Sequence, residues 1–287
     1  MKKGIGTMVC LLLALLAFGV LADESPSPFE DSQLRRTVTL PTGKQMYFYA
    51  QNDPIWERTR YEIWNMEGRR HTFGGGGCNP TALAMVIAQM IPEEDLPLIA
   101  QHTDNGEPIA FCPGTVTTYF CANHEEDEIL TLTTPEQYKK LLPLVFGHYA
   151  CKNNKEERPF RNSGGTSYDL FDSIAAIYGL KVDTTRELDE ALAALHAGSE
   201  VLFLSGGRNH PFSGGSGHYV VLADADDTYL YLLDPNIVEK YTEDRRRILK
   251  LIEGEPGLVQ VEQTNEERLC VSYYFIFSRI DENSVQE

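Results

Sequence analysis

No two cysteines of this chain stand in C-x-x-C spacing, so the usual ligand pattern of a structural zinc site is missing. Cations are scarce: 25 lysines and arginines face 42 acids, for a net charge of −17. That imbalance argues against nucleic acid and anionic membrane surfaces as partners, because both repel an acidic protein. There is no internal repeat and no long low-complexity tract. Beyond the first residues, no apolar run is long enough to span a bilayer. Neither a cofactor nor a metal is expected. The acidic clusters Glu93-Glu94-Asp95 and Glu125-Glu126-Asp127-Glu128 read as solvated surface, with at most a hint of basic substrates.

The one long apolar run opens the chain. MKKGIGTMVCLLLALLAFGVLADE has two lysines, an apolar stretch and small residues at Val20-Leu21-Ala22, the pattern of a secretory signal peptide over residues 1–22. A retained anchor is the alternative. Cys10 has most of the apolar run after it, unlike a lipid-attachment cysteine. The expected product is secreted or extracytoplasmic, without stable membrane insertion once the signal is cleaved. The remaining 265 residues carry 23 cations and 42 acids, net −19, and suit one large domain or two lobes sharing a core. Residues 23–45 are expected to be a flexible leader or short pro-segment, although Val38 to Tyr49 alternates loosely like a strand. The domain then covers 46–287, with an elaborated region at about 93–160. Five cysteines remain, an odd count that leaves at least one unpaired. If that one is Cys78, then Cys112, Cys121, Cys151 and Cys270 can form two disulfides in three connectivities.

Chemistry first shows in GGGGCNPTALAMVIAQM, residues Gly74 to Met90. Four glycines lead into Cys78, Asn79-Pro80 opens a run of helix formers, and Ile91-Pro92 stops it. Cys78 is thus expected at a helix N-terminus, where the partial positive charge of the helix end favours a thiolate. The glycines are expected to leave room for a substrate backbone. The Cys78 amide is placed to help stabilise an oxyanion. Gln51, just past the strand, offers a neutral side-chain donor for the same purpose.

A second stretch, GSGHYVVLADADDTYLYLLDPN, reads as a β-hairpin, with ADADD as its turn. A three-residue loop pairing Asp224 with Thr228 puts His218 directly opposite Asp234, with Cβ atoms ~5 Å apart. A two-residue loop puts the two on opposite faces, unless a bulge restores the register. An imidazole beside a carboxylate is a general base with its orienter. Packed against the Cys78 helix, the hairpin completes a nucleophile, a base and an orienter. Asn236 is the second candidate orienter and His210 the second imidazole.

The order Gln51, Cys78 before a helix, His218 leading a strand, then Asp234-Pro235 resembles the papain-like cysteine peptidases. Within them the chain is most similar to the bacteriocin-processing (double-glycine leader) peptidases and their stand-alone secreted relatives. QNDPIW, GCNPTALAMV, the 164–180 stretch, ELDEALAALHAG and GHYVVLADADDTYLYLLDP carry the likeness. The resemblance implies an α+β papain-like fold, with a helical lobe presenting the cysteine and an antiparallel sheet lobe presenting the histidine and aspartate. It also implies a peptide or protein substrate, Cys78 as nucleophile, His218 as base and then acid, Asp234 as orienter and Gln51 in the oxyanion hole. Asn79 departs from the glycine usual after the cysteine, and no transporter segments follow. A cysteine-dependent acyltransferase, a cell-wall amidase and a non-catalytic peptide-binding module remain alternatives.

Overall fold

The computed structural model describes residues 28–61, 72–103, 106–111, 130–152, 154–155, 158–162, 165–207, 209–212, 217–237 and 247–280. The signal segment, Cys112, Cys121 and the 125–128 acidic cluster lie outside them.

Arg35–Thr39 (β1) and Gln45–Tyr49 (β2) form an antiparallel hairpin, with Val38 and Phe48 in the core. Arg35 is buried; its Nε lies 2.8 Å from Asp53 Oδ2, and its guanidinium sits 5.5 Å from the Trp56 ring centre. The expectation of a flexible leader through residue 45 is therefore corrected for its described part. A chain with a buried ion pair and apolar anchors on it is held, not loose. After Phe73–Gly76 (α1) comes Cys78–Met90 (α2), which packs against β2. Helix α2 is buried nearly all round, as suits a central helix. Its Leu83, Met85, Val86 and Ile87 each contribute about 1.5–3 kcal/mol from burial, as upper estimates. Its end falls where expected: Ile91 is extended before Pro92.

A 3₁₀ stretch, Glu93–His102, and a short pair, Ala110–Phe111 (β3) with Leu130–Thr131 (β4), follow. Two helices come next, Pro135–Lys140 (α3) and Leu142–Lys152 (α4). Pro143 explains the break, since its ring conflicts with the carbonyl four residues earlier in a continuous helix. Helix α4 packs on α2 with Leu142, Leu144, Val145 and Phe146 fully buried. That part of the 93–160 region is core and not decoration. Two small hairpins, Asn154–Lys155 (β5) with Arg158–Pro159 (β6) and Arg161–Asn162 (β7) with Gly165–Thr166 (β8), lead to Asp169–Ile177 (α5).

Seven strands then build an antiparallel sheet, Leu180–Thr185 (β9), Glu200–Gly206 (β10), Gly217–Ala225 (β11), Tyr229–Leu233 (β12), Lys250–Leu251 (β13), Leu258–Glu262 (β14) and Val271–Arg279 (β15), with helix Leu188–His196 (α6) between β9 and β10 in the chain. Its order is β13-β14-β12-β11-β10-β15-β9. Alternation puts Val221, Leu233 and Phe275 in the cluster that contains α2, and Val220, Leu232 and Tyr274 in a second cluster on the α6 side. The class is α+β. Helix α2 lies on β10 and β11, which brings its N-terminus to the start of β11.

Candidate active site

Cys78 opens α2, where the first N–H groups have no carbonyl of their own helix to bond. Pro80 costs nothing in this turn for the same reason. Thr81 fastens the start of the helix: its N–H and its hydroxyl both donate to the Gly77 carbonyl, at 3.0 and 2.7 Å. The glycines ahead of Cys78 do not form the open approach expected from the sequence. They make the one-turn helix α1, capped by Thr72 Oγ1 on the Gly75 N–H. None of the four has a positive φ. Gly74, Gly76 and Gly77 are needed for space instead, and the space is filled. A Cβ on Gly77 would lie 2.6 Å from the Phe73 carbonyl oxygen, one on Gly74 3.0 Å from the Glu57 carbonyl oxygen, and one on Gly76 2.9 Å from Arg161 Nη2.

His218, the second residue of β11, is 3% exposed; Asp234, just past β12, is fully buried. Their contact is Nε2 to Oδ1 at 2.7 Å. A carboxylate can only accept, so Nε2 carries the proton and Nδ1 is the nitrogen left for the thiol. The Cys78 thiol lies beside the His218 imidazole, close enough for each to shift the proton affinity of the other. Asp234 is held in turn: its N–H donates to the Gly257 carbonyl at 2.8 Å, and its Oδ1 accepts the Asn236 N–H at 2.9 Å. Asp234, not Asn236, therefore bonds the imidazole. His210 is 1% exposed, with its ring 6.5 Å from that of Phe212, which lies 5.6 Å from the His218 ring.

The hairpin register corrects one expectation and fulfils another. Val221 pairs with Leu233 and Leu222 with Leu232, so His218 and Asp234 are not directly opposite. Nearer the turn, Ala225 pairs with Leu230, which belongs to the two-residue loop that would separate the two faces. A bulge between Leu222 and Asp224 restores the shared face.

Gln51 is 4% exposed and joins both halves of the site. Its backbone N–H donates to the Pro235 carbonyl at 2.7 Å, and Nε2 donates to the Gly74 carbonyl at 2.6 Å. One Nε2 hydrogen is thereby used and one remains. Asn79, 1% exposed, lies beside the Tyr219 hydroxyl, with neither end of its amide in a hydrogen bond of ordinary geometry.

Electrostatics follow from these contacts. Burial disfavours a charged Cys78, but the His218 hydrogen bond and charge, the Tyr219 backbone and the Arg161 charge together bring its thiol below the ordinary value. Burial likewise opposes a charged His218, yet Asp234 and Cys78 outweigh it and lift the imidazole to about 10. The favoured state between those two values is a thiolate beside an imidazolium. Arg161, absent from the sequence reading, carries no motif; only folding brings it beside Gly76.

Among the described cysteines, no disulfide joins Cys78, Cys151 and Cys270. No helix among the described residues is long and apolar enough to cross a membrane. No protein-family profile matches the chain, and no curated protein matches it. Among solved structures the chain is similar in part to a Bacillus anthracis protein provisionally described as a C39-like peptidase, at 14% identity and a TM-score of 0.29, over 41% of this chain and 62% of that one. The match thus spans less than two thirds of that protein's length.

Proposed function

We propose that the chain is an exported cysteine peptidase of the papain-like type, cutting peptide bonds through a thioester on Cys78. The reading rests on one observation above all: a half-buried thiol at a helix N-terminus beside an imidazole that a fully buried carboxylate holds at 2.7 Å. In this mechanism the Cys78 thiolate attacks the substrate carbonyl carbon. The Cys78 N–H and the remaining Nε2 hydrogen of Gln51 donate to the oxyanion that forms. The His218 imidazolium gives its proton to the departing amine as the C–N bond breaks, leaving the thioester and a neutral imidazole. A water then gives His218 a proton as it attacks the thioester, and the thiolate leaves, restoring the starting ion pair. Asp234 supports the imidazolium throughout. Export is part of the proposal and rests on the residue 1–22 pattern.

The test is the pH dependence of Cys78 alkylation in residues 23–287, with a His218→Ala control. Rapid alkylation well below the free-thiol pKa of ~8.5, abolished in the control, is expected. A profile that rises only near that value, the same in both proteins, overturns the reading. Loss of peptide hydrolysis in Cys78→Ala, with the fold kept, then assigns the activity.

A further inference from the structure

Arg161 is 4% exposed and has no carboxylate partner among the described residues. Its Nε donates to the Tyr61 carbonyl at 3.1 Å, and its guanidinium lies over the Tyr61 ring, 4.5 Å from the centre. Tyr61 is fixed from two further sides, by a 2.7 Å hydroxyl contact with Thr166 Oγ1 and by the Phe73 ring at 5.2 Å. These contacts set the guanidinium plane but use only Nε and one face. Neither Nη group has a hydrogen bond among the described residues. Nη2 instead lies against half-buried Gly76, on the side where a Cβ would stand, two residues before Cys78. A largely buried cation without a carboxylate partner is costly to hold. A planar pair of N–H donors held in one orientation is suited to grip a carboxylate with two parallel bonds.

We propose that Arg161 is a specificity residue of the Cys78 site and takes a carboxylate of the substrate on its two Nη groups. The proposal rests on Cys78 being the nucleophile of a peptidase. Two sources carry this chemistry: the free α-carboxylate at a peptide end, and an aspartate or glutamate side chain. The selection is opposite to what the acidic composition suggests. Net charge acts through a screened field that fades over ~10 Å, while the guanidinium acts at contact.

The experiment compares Cys78 alkylation by iodoacetate and by iodoacetamide, reagents of nearly equal size that differ in a carboxylate. The measured quantity is the iodoacetate-to-iodoacetamide rate ratio, set against the same ratio for free cysteine. The ratio is expected to fall about tenfold in Arg161→Gln, the scale of a charge-assisted hydrogen bond, and to recover in large part in Arg161→Lys. Arg186→Gln, which removes an exposed cation beside Tyr273, leaves it unchanged. An unchanged ratio in a folded Arg161→Gln protein overturns the proposal.

Should that variant not fold, protection of the natural chain against iodoacetamide decides the matter. Preferential protection by N-acetylglycine over its amide assigns the α-carboxylate. Preferential protection by N-acetylglutamate α-amide over N-acetylglutamine α-amide assigns the side chain. No acid protecting better than its amide overturns the proposal. The underlying reading fails in a different way. Cys78 then reacts with both reagents no faster than free cysteine, and both conclusions fall. A reactive Cys78 without charge selectivity removes only the role of Arg161.

Discussion

His218 and Asp234 lie 2.7 Å apart although they do not face each other across the hairpin, and the bulge between Leu222 and Asp224 is what returns them to one side of the sheet. Asp234→Asn keeps an acceptor for Nε2 but removes the charge that stabilises the imidazolium. The alkylation profile of Cys78 is expected to move to higher pH, with the fold retained. Asp234→Ala leaves a buried imidazolium unsupported and is expected to cost about 3–5 kcal/mol in denaturant unfolding. An unshifted profile in Asp234→Asn would take the carboxylate out of the site.

The Cys78 thiol has its pKa depressed in the folded chain, so its contribution to stability is present above the unfolded value and is lost as pH falls through the folded one. Relative to Cys78→Ala, under reducing conditions, the natural chain is expected to gain stability as pH rises toward ~8.5 and then to level off. Near pH 10 the imidazolium gives up its proton and the gain declines. In a His218→Ala background the rise should vanish. A stability difference that does not change with pH would mean a neutral thiol.

Gln51→Ala removes the side-chain donor proposed for the oxyanion. The expected loss is on the order of 10²–10³ in kcat, with little change in KM, because the contact strengthens only in the transition state. Losing the bond to the Gly74 carbonyl should also lower stability by about 1 kcal/mol. A few-fold effect on kcat would assign Gln51 to structure alone.

Gly77→Ala and Gly75→Ala separate space from backbone freedom in the turn before Cys78. Both positions have negative φ, so neither substitution is strained by conformation. The added methyl at 77 meets the Phe73 carbonyl and ring at 2.6 Å, whereas at 75 the nearest atom is Thr72 Oγ1 at 3.4 Å. Gly77→Ala is expected to cost about 1–3 kcal/mol and to slow Cys78 alkylation by moving the helix start. Gly75→Ala should be near neutral. Equal effects in thermal unfolding would contradict the packing described.

What could be read from the chain depended on how local its causes were. The α2 start and stop are written in neighbouring residues: Gly77 before the helix, Pro80 in its first turn, Pro92 after Ile91. The hairpin was legible for the same reason, but its register was not, because the bulge depends on how β11 meets β12. The glycine run showed where the backbone is crowded but not by what, since Phe73, Glu57 and Arg161 close on it from three segments. Residues 28–45 read as loose because Arg35 looks solvated until Asp53 and Trp56 fold around it. Arg161 gave no signal at all; its place beside Gly76 is purely tertiary.

The two bonds of Gln51, to Pro235 and to Gly74, span 184 and 23 residues of chain. Asp234 in turn is fastened to Gly257, and α2 rests on strands β10 and β11 formed more than a hundred residues later. Contacts this distant along the chain close late in folding. During synthesis Cys78 therefore emerges as an ordinary thiol, chemically quiet among its neighbours. It can meet its imidazole only once residue 218 has been made and β11 has come to lie on α2, so the reactivity of the site waits on that long-range contact.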